Sequence, residues 1–478
     1  MREFFYKPED GWTGDFIPFY KDGLYYLFYL KDYRDRENHG EGTPWFLVTT
    51  ADFVHFEEQG EVIPRGTADE QDLFIFTGCV LEAEGKFHIF YTGHNPHFAA
   101  LNKPAQAVMH AVSDNLRHWT KLPEDTFFAP TDGYEMHDWR DPFVFWNADA
   151  GEYWMLLAAR RLTGMTRRRG VTALCASKDL KTWEVRDDFF APALYHTHEC
   201  PDLFQMGDWH YLLFSEYSDE ILTRYRMARS LSGPWITPPD DCFDGIAYYA
   251  AKSASDGDKR YLFGWNPTRS DVKDDGVFQW GGNLVAHEIF QREDGTLGVR
   301  VPAPVREAFS VSQPVNFQSV VGDCLCNGNA AQINGTGTFA AASAGLTLDN
   351  CKITATVEFT HPTRDFGIMI RAYDDFEQGY FIRLKTAQQT LCFETLFGMF
   401  PRVANVPRMT GLERPLALTP GKPIELTILV AGTICEVYAD GHIALSARIY
   451  NLKSGNWGVF VTEGAANFRN VTLQTLPP

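Results

Sequence analysis

The chain has no run approaching ~20 uninterrupted apolar residues, which leaves out a membrane-spanning helix. It is poor in positive charge. Its 43 Lys and Arg stand against 62 Asp and Glu, a formal net charge of −19 that repels phosphate backbones and anionic membranes. Neither nucleic acid nor a membrane is expected as a partner. Long helical periodicity is missing throughout. The start, "MREFFYKPEDGW", is charged and lacks the apolar core of a signal peptide, so a cytoplasmic protein is expected. There are nine cysteines but no Cys-x-x-Cys pair and no histidines at ligand spacing, so no metal and no cofactor is expected. Cys324 and Cys326 read as buried small residues, with a redox pair as the alternative. The cysteine usage fits a reducing compartment.

What is present is enough for two domains. The 478 residues are 45% hydrophobic, 22% charged and 14% aromatic, ordinary for a soluble protein with a full core but rich in rings. Five segments read as apolar strands, each preceded by a tight turn: "KDGLYYLFYL", "AEGKFHIFYTG", "DAGEYWMLLAAR", "QMGDWHYLLFS" and "SDGDKRYLFGW". Each turn carries a glycine, Gly23, Gly85, Gly151, Gly207 or Gly257, as hairpins with positive φ require. Further on, "TTADFVHF", "AVSDNLRHW" and "CASKDLKTW" share a short polar turn ending in an aromatic, with "ARSLSGPW" a weaker fourth. The units recur at about 50 to 65 residues, the scale of a four-stranded propeller blade. A five-bladed all-β propeller over residues 1–305 is expected.

Counting back from the turn glycines places acids in phase with the repeat. Eight residues before Gly23, Gly85, Gly207 and Gly257 stand Asp15, Thr77, Glu199 and Tyr249; with its longer loop, the third unit places Asp141 there. In a propeller the first strand of each blade lines the central channel, so these five side chains would face one pocket. Like charges converging on a low-dielectric pocket cost stability, so the arrangement points to chemistry, with a cation site on the axis as the alternative.

"RDPFVFW" (Arg140 onward) and "HECPDLF" (His198 onward) resemble the Arg-Asp-Pro and Glu-Cys motifs of glycoside hydrolase family 32, the invertases, inulinases and levanases. "FTGCV" with "FYTG" is similar to that family's Phe-Ser-Gly segment, and "WGGNLVAHEIFQREDGTLGVRVP" resembles its closing propeller segment. The resemblance implies a C-terminal β-sandwich. Residues 316–478 independently read as alternating strands, among them "CKITATVEF" and "CEVYADGHIAL", with a structural role expected and sugar binding as the alternative. The first motif departs from the family: Asp15 sits in "TGDFIPFY", without the usual Asn ahead or Pro-Asn-Gly behind, and the next strand ends in Leu30 rather than Gln. The carboxylate is kept; sucrose as the substrate is put in doubt.

The resemblance implies a retaining mechanism with Asp15 as nucleophile, Glu199 as acid/base and Asp141 as transition-state stabiliser, releasing fructose from short fructo-oligosaccharides. Trp45, Phe76, Thr77, Arg140, Tyr249 and Trp265 are the candidates for binding the sugar, with Trp139, His94 and Asn95 as further pocket or rim residues. "RRLTGMTRRRG" (Arg160 to Gly170) reads as a solvated basic hairpin, with a subunit interface or an anionic sugar as alternatives. The expected partner is a small oligosaccharide, and a homo-oligomer is allowed for. Two rivals stay open at this point: an inverting family 43 arabinofuranosidase or xylosidase, and a sugar-binding propeller without chemistry.

Overall fold

The computed structural model describes residues 4–396 and 412–477. The chain is a β-propeller followed by a β-sandwich, and among the described residues the longest α-helix is the six-residue Ala303–Ala308. No described helix is long and apolar enough to cross a membrane. Two compact units interleave along the chain: residues 1–242, 248–265 and 281–296 form the first, and 243–247, 266–280 and 297–478 the second.

The first unit is built on five antiparallel hairpins. Their strands are Trp12–Lys21 with Leu24–Asp32, Phe74–Ala83 with Lys86–His94, Tyr134–Asn147 with Glu152–Arg161, Glu199–Met206 with Trp209–Glu216, and Tyr249–Ser255 with Arg260–Arg269. All five turn glycines have positive φ, from 57° to 97°. A Cβ at Gly23, Gly85, Gly151 or Gly257 would meet nothing within 4 Å, so backbone conformation rather than space selects glycine there. Hydrogen bonding groups the hairpins into four sheets rather than five. The fifth and first hairpins belong to one continuous sheet, joined through Phe278–Gln291.

Side chains of consecutive hairpins wedge together. Ile17, Phe28 and Leu30 pack with Ile75, Ile89 and Tyr91; Cys79 and Phe90 pack with Trp139, Val144 and Met155. The repeated polar turns supply the next contacts. Asp52, Asn115 and Asp179 each accept two backbone N–H bonds, which frees the next residue to turn inward at positive φ; Phe53, Leu116 and Leu180 do so and are buried. The closing aromatics then pack on the preceding unit, Trp119 at 5.9 Å from Phe28 and Trp183 at 5.6 Å from Phe90.

The second unit is two antiparallel sheets of eight and seven strands. Cys351–Phe359 runs between Ile424–Ala431 and Ala465–Thr475 in one sheet; Asp365–Ala372 runs between Gly379–Lys385 and Asn456–Thr462 in the other. Residues of both, among them Ile353, Val357, Ile368, Ile382 and Trp457, form a single core. A hairpin turns at Asp440 and Gly441, both at positive φ. All nine cysteines are free thiols; Cys324 and Cys326, expected to be buried, are half-buried, and Cys324 Sγ lies against the Val321 and Ala341 carbonyls.

Candidate active site

The first strand of every hairpin bulges at the same place. Thr13 pairs with Lys31 and Phe16 with Tyr29; Arg140 pairs with Ala158 and Phe143 with Leu156. Phe76 to Cys79, Glu199 to Asp202 and Tyr249 to Lys252 make the same step against their partners. Each time the first strand advances three residues while its partner advances two, which re-aims the side chains at that point. Counting from glycines placed Asp15, Thr77, Asp141, Glu199 and Tyr249 at one equivalent position. The register corrects this. Glu199 and Tyr249 occupy the first position of the bulge, Thr77 and Asp141 the second, and Asp15 the third. The count drifts because glycine is the second turn residue in Asp22-Gly23 and Glu84-Gly85 but the first in Gly207-Asp208, and because the strand from bulge to turn is one residue longer in the first hairpin (Phe16 to Lys21) than in the second (Cys79 to Ala83). At the second position Asp141, Cys200 and Ala250 all have φ between 50° and 59°, a conformation unfavourable for side-chain-bearing residues and held only by surrounding packing.

Neighbouring hairpins are tied together through these side chains. Thr77 Oγ1 donates to Asp15 Oδ2 at 2.5 Å, and Trp265 Nε1 donates to Asp15 Oδ1 at 2.9 Å. Tyr249 donates its hydroxyl to Glu199 Oε2 at 2.7 Å, and Arg140 Nη2 donates to Glu199 Oε1 at 3.0 Å. Cys200 N donates to Asp141 Oδ2 at 3.0 Å, and Asp141 N donates to Thr92 Oγ1 at 2.7 Å. The Cys200 thiol sits among the acids, 3.7 Å from Asp15 Oδ2 and 3.9 Å from Asp141 Oδ2.

The electrostatics follow from burial. Burial raises the pKa of Asp15 and the bonds from Thr77 and Trp265 oppose it, with the Glu199 charge adding to the rise. Asp141 is pushed up to about 7 by burial, against the pull of Arg140, and the Glu199 charge raises it further. Burial, then Glu199, holds the Tyr249 hydroxyl well above its ordinary value, so it stays a donor. The Cys200 thiol is likewise held neutral by burial and three carboxylates. Arg140 remains a cation: the carboxylates around it outweigh its desolvation.

Four of the six expected sugar-binding residues therefore touch the acids: Thr77, Arg140, Tyr249 and Trp265. Trp45 does not; it is fully buried in the wedge core, its indole N–H donating to the Phe76 carbonyl at 3.2 Å. Phe76 is partly buried and stacks on His94 at 4.7 Å. Trp139 is core, and Asn95 spends its amide on the Ala68 and Glu70 carbonyls. Arg160, expected in a solvated hairpin, is buried and paired with Glu135 at 3.1 Å. Sequence reasoning missed Thr92, Asp138 and Lys252. Asp138 braces Arg140 at 2.7 Å, and the buried Lys252 donates to the Pro201 carbonyl at 2.6 Å, one step past the bulge. Only the Arg-Asp-Pro and Glu-Cys-Pro motifs beside them mark the place.

Three donor-supplied carboxylates brought together by neighbouring hairpins are the equipment of a glycosidase. Residues 5–294 match the model of the glycosyl hydrolases family 32 N-terminal domain, and residues 325–475 that of the family 32 C terminal. The chain belongs to glycoside hydrolase family 32, and it is an enzyme of that family of fructoside hydrolases. That membership closes the family 43 alternative. It is 25% identical over 477 residues to the sucrose-6-phosphate hydrolase of Escherichia coli, spanning 94% of this chain and 88% of that one. It is 22% identical over 497 residues to the levanbiose-producing levanase of Bacillus subtilis, spanning 97% and 89%. Its fold matches fructan 1-exohydrolase IIa from Cichorium intybus with a TM-score of 0.75 at 17% identity, covering 99% of this chain and 96% of that one.

Proposed function

We propose that the enzyme is a retaining, exo-acting β-fructofuranosidase that releases fructose from short fructo-oligosaccharides or small fructosides. Asp15 is the nucleophile and attacks the anomeric C2 of the fructosyl unit. Glu199 gives its proton to the departing oxygen and then takes one from water. Asp141 bonds ring hydroxyls and strengthens as positive charge develops, with Arg140 holding Glu199 in place. The observation that carries this is the convergence of three carboxylates, each with its own donors: Thr77 and Trp265 on Asp15, Tyr249 and Arg140 on Glu199, and the Cys200 backbone N–H on Asp141. The names of the relatives support the fructosyl bond as the one cut. Residues 1–305 are the catalytic part and 316–478 a structural one. Nine free thiols support action in a reducing compartment.

The test is chromatography of the sugars released from sucrose, inulin- and levan-type oligosaccharides, arabinofuranosides and xylosides, with Glu199→Gln as the blank. Free fructose absent from the blank is expected. Arabinose or xylose, or no release from any fructoside, would overturn the proposal.

A further inference from the structure

Beside Glu199 lies a pair of rings that no step above uses. Tyr217 directly follows the strand Trp209–Glu216, two residues beyond Ser215, the partner of Glu199. It is 45% exposed, yet its hydroxyl stays within electrostatic reach of Glu199, Arg140, Asp138 and Arg160. Its ring lies 5.5 Å from that of His196. His196 is held on three sides. Arg160 Nη1 donates to its Nδ1 at 2.7 Å and to its carbonyl at 2.6 Å, and its own backbone N–H donates to Ser218 Oγ at 2.7 Å. A guanidinium only donates, so Nδ1 accepts and the ring proton sits on Nε2. Burial and the Arg160 charge lower the pKa of His196, which keeps the ring neutral in that tautomer. An open aromatic face therefore stands next to a fixed N–H donor, beside the proposed proton donor. The two cations within electrostatic reach of Tyr217 are already paired, Arg140 with Asp138 and Glu199, and Arg160 with Glu135 and Asp138.

We infer that Tyr217 and His196 receive the leaving-group sugar, Tyr217 against its C–H face and His196 Nε2–H on a hydroxyl, and that this sugar is neutral rather than phosphorylated. The inference rests on the fructosidase proposal and adds its specificity.

The test compares kcat/KM on sucrose, an inulin-type fructosyl disaccharide, sucrose 6-phosphate and methyl β-fructofuranoside, whose leaving group offers no ring to stack. Tyr217→Ala should lower kcat/KM on the neutral disaccharide that wild type cleaves by up to about tenfold, the size of one ring contact, and leave methyl fructoside unchanged. Tyr217→Phe should restore the disaccharide. His196→Ala should show the same selective loss, with His196→Gln, which can accept from Arg160 and donate outward, recovering part of it. Equal loss on both substrates, no loss on either, or preference of the wild type for sucrose 6-phosphate over the neutral disaccharides would overturn the inference. Absence of wild-type cleavage of every fructoside would instead overturn the fructosidase proposal and take this inference with it.

Discussion

Thr77→Val removes one hydroxyl and keeps the shape of the side chain. Thr77 is fully buried, and its hydroxyl donates to Asp15 Oδ2 at 2.5 Å. That bond exists for the ionised carboxylate, so its loss, together with an added methyl against the oxygen, disfavours the charge. A hydrogen bond to a charged group contributes roughly 1.5–3 kcal/mol, and about 1.4 kcal/mol is one pH unit, so the pKa should rise by roughly 1–2 units. The Trp265 bond stays, which keeps Asp15 ionisable. A nucleophile must be ionised, so the acidic limb of the kcat/KM profile should move to higher pH by that amount. With three interacting carboxylates, the limb belongs to the cluster rather than to Asp15 alone. Above the limb, kcat/KM should largely recover. A uniform fall in kcat/KM with the limb unmoved would refute the reasoning, because it would mean that Thr77 shapes the site without setting the charge on Asp15.

Asp141 gives a stability prediction. Its folded pKa of about 7 lies above the ordinary carboxyl value of 3.8, so its proton stabilises the fold below the lower value, and that stability is lost as pH rises through the upper one. Asp141→Asn keeps an acceptor for Cys200 N and tolerates the left-handed φ. It should match wild type near pH 4 and become more stable above pH 7, by up to about 4 kcal/mol, in urea titrations at the two pH values. No pH dependence of the difference would count against a buried charge there that Arg140 only partly offsets. Trp45→Ala tests the core placement. It should cost about 3–5 kcal/mol of unfolding free energy while leaving KM unchanged; a raised KM at normal stability would return Trp45 to the pocket.

Much of this site was legible in the sequence because turn chemistry is local. Gly23, Gly85 and Gly207 mark hairpins by their required φ, and counting from such glycines brought Asp15, Thr77, Asp141, Glu199 and Tyr249 into one group, which their contacts bear out. What the count could not see was the register. The bulge is common to all five first strands, but the place of glycine in the turn and the number of residues from bulge to turn differ, so residues from three successive positions looked equivalent. Trp45 and Trp139 failed for another reason. Apolar rings fill both the wedges between hairpins and the walls of a sugar pocket, and sequence alone does not tell which face of a strand a tryptophan takes. Tyr217 and His196 stand in no motif at all; they become visible only when Arg160, thought to be solvated, proves to be buried behind them.

Following the anomeric form of the first-released fructose by proton NMR tests the central claim most directly. With Asp15 as nucleophile, two successive displacements at C2 must give β-fructofuranose first, with mutarotation following. Initial appearance of the α-anomer would mean a single displacement by water, with Asp15 acting as a base, and would contradict the account.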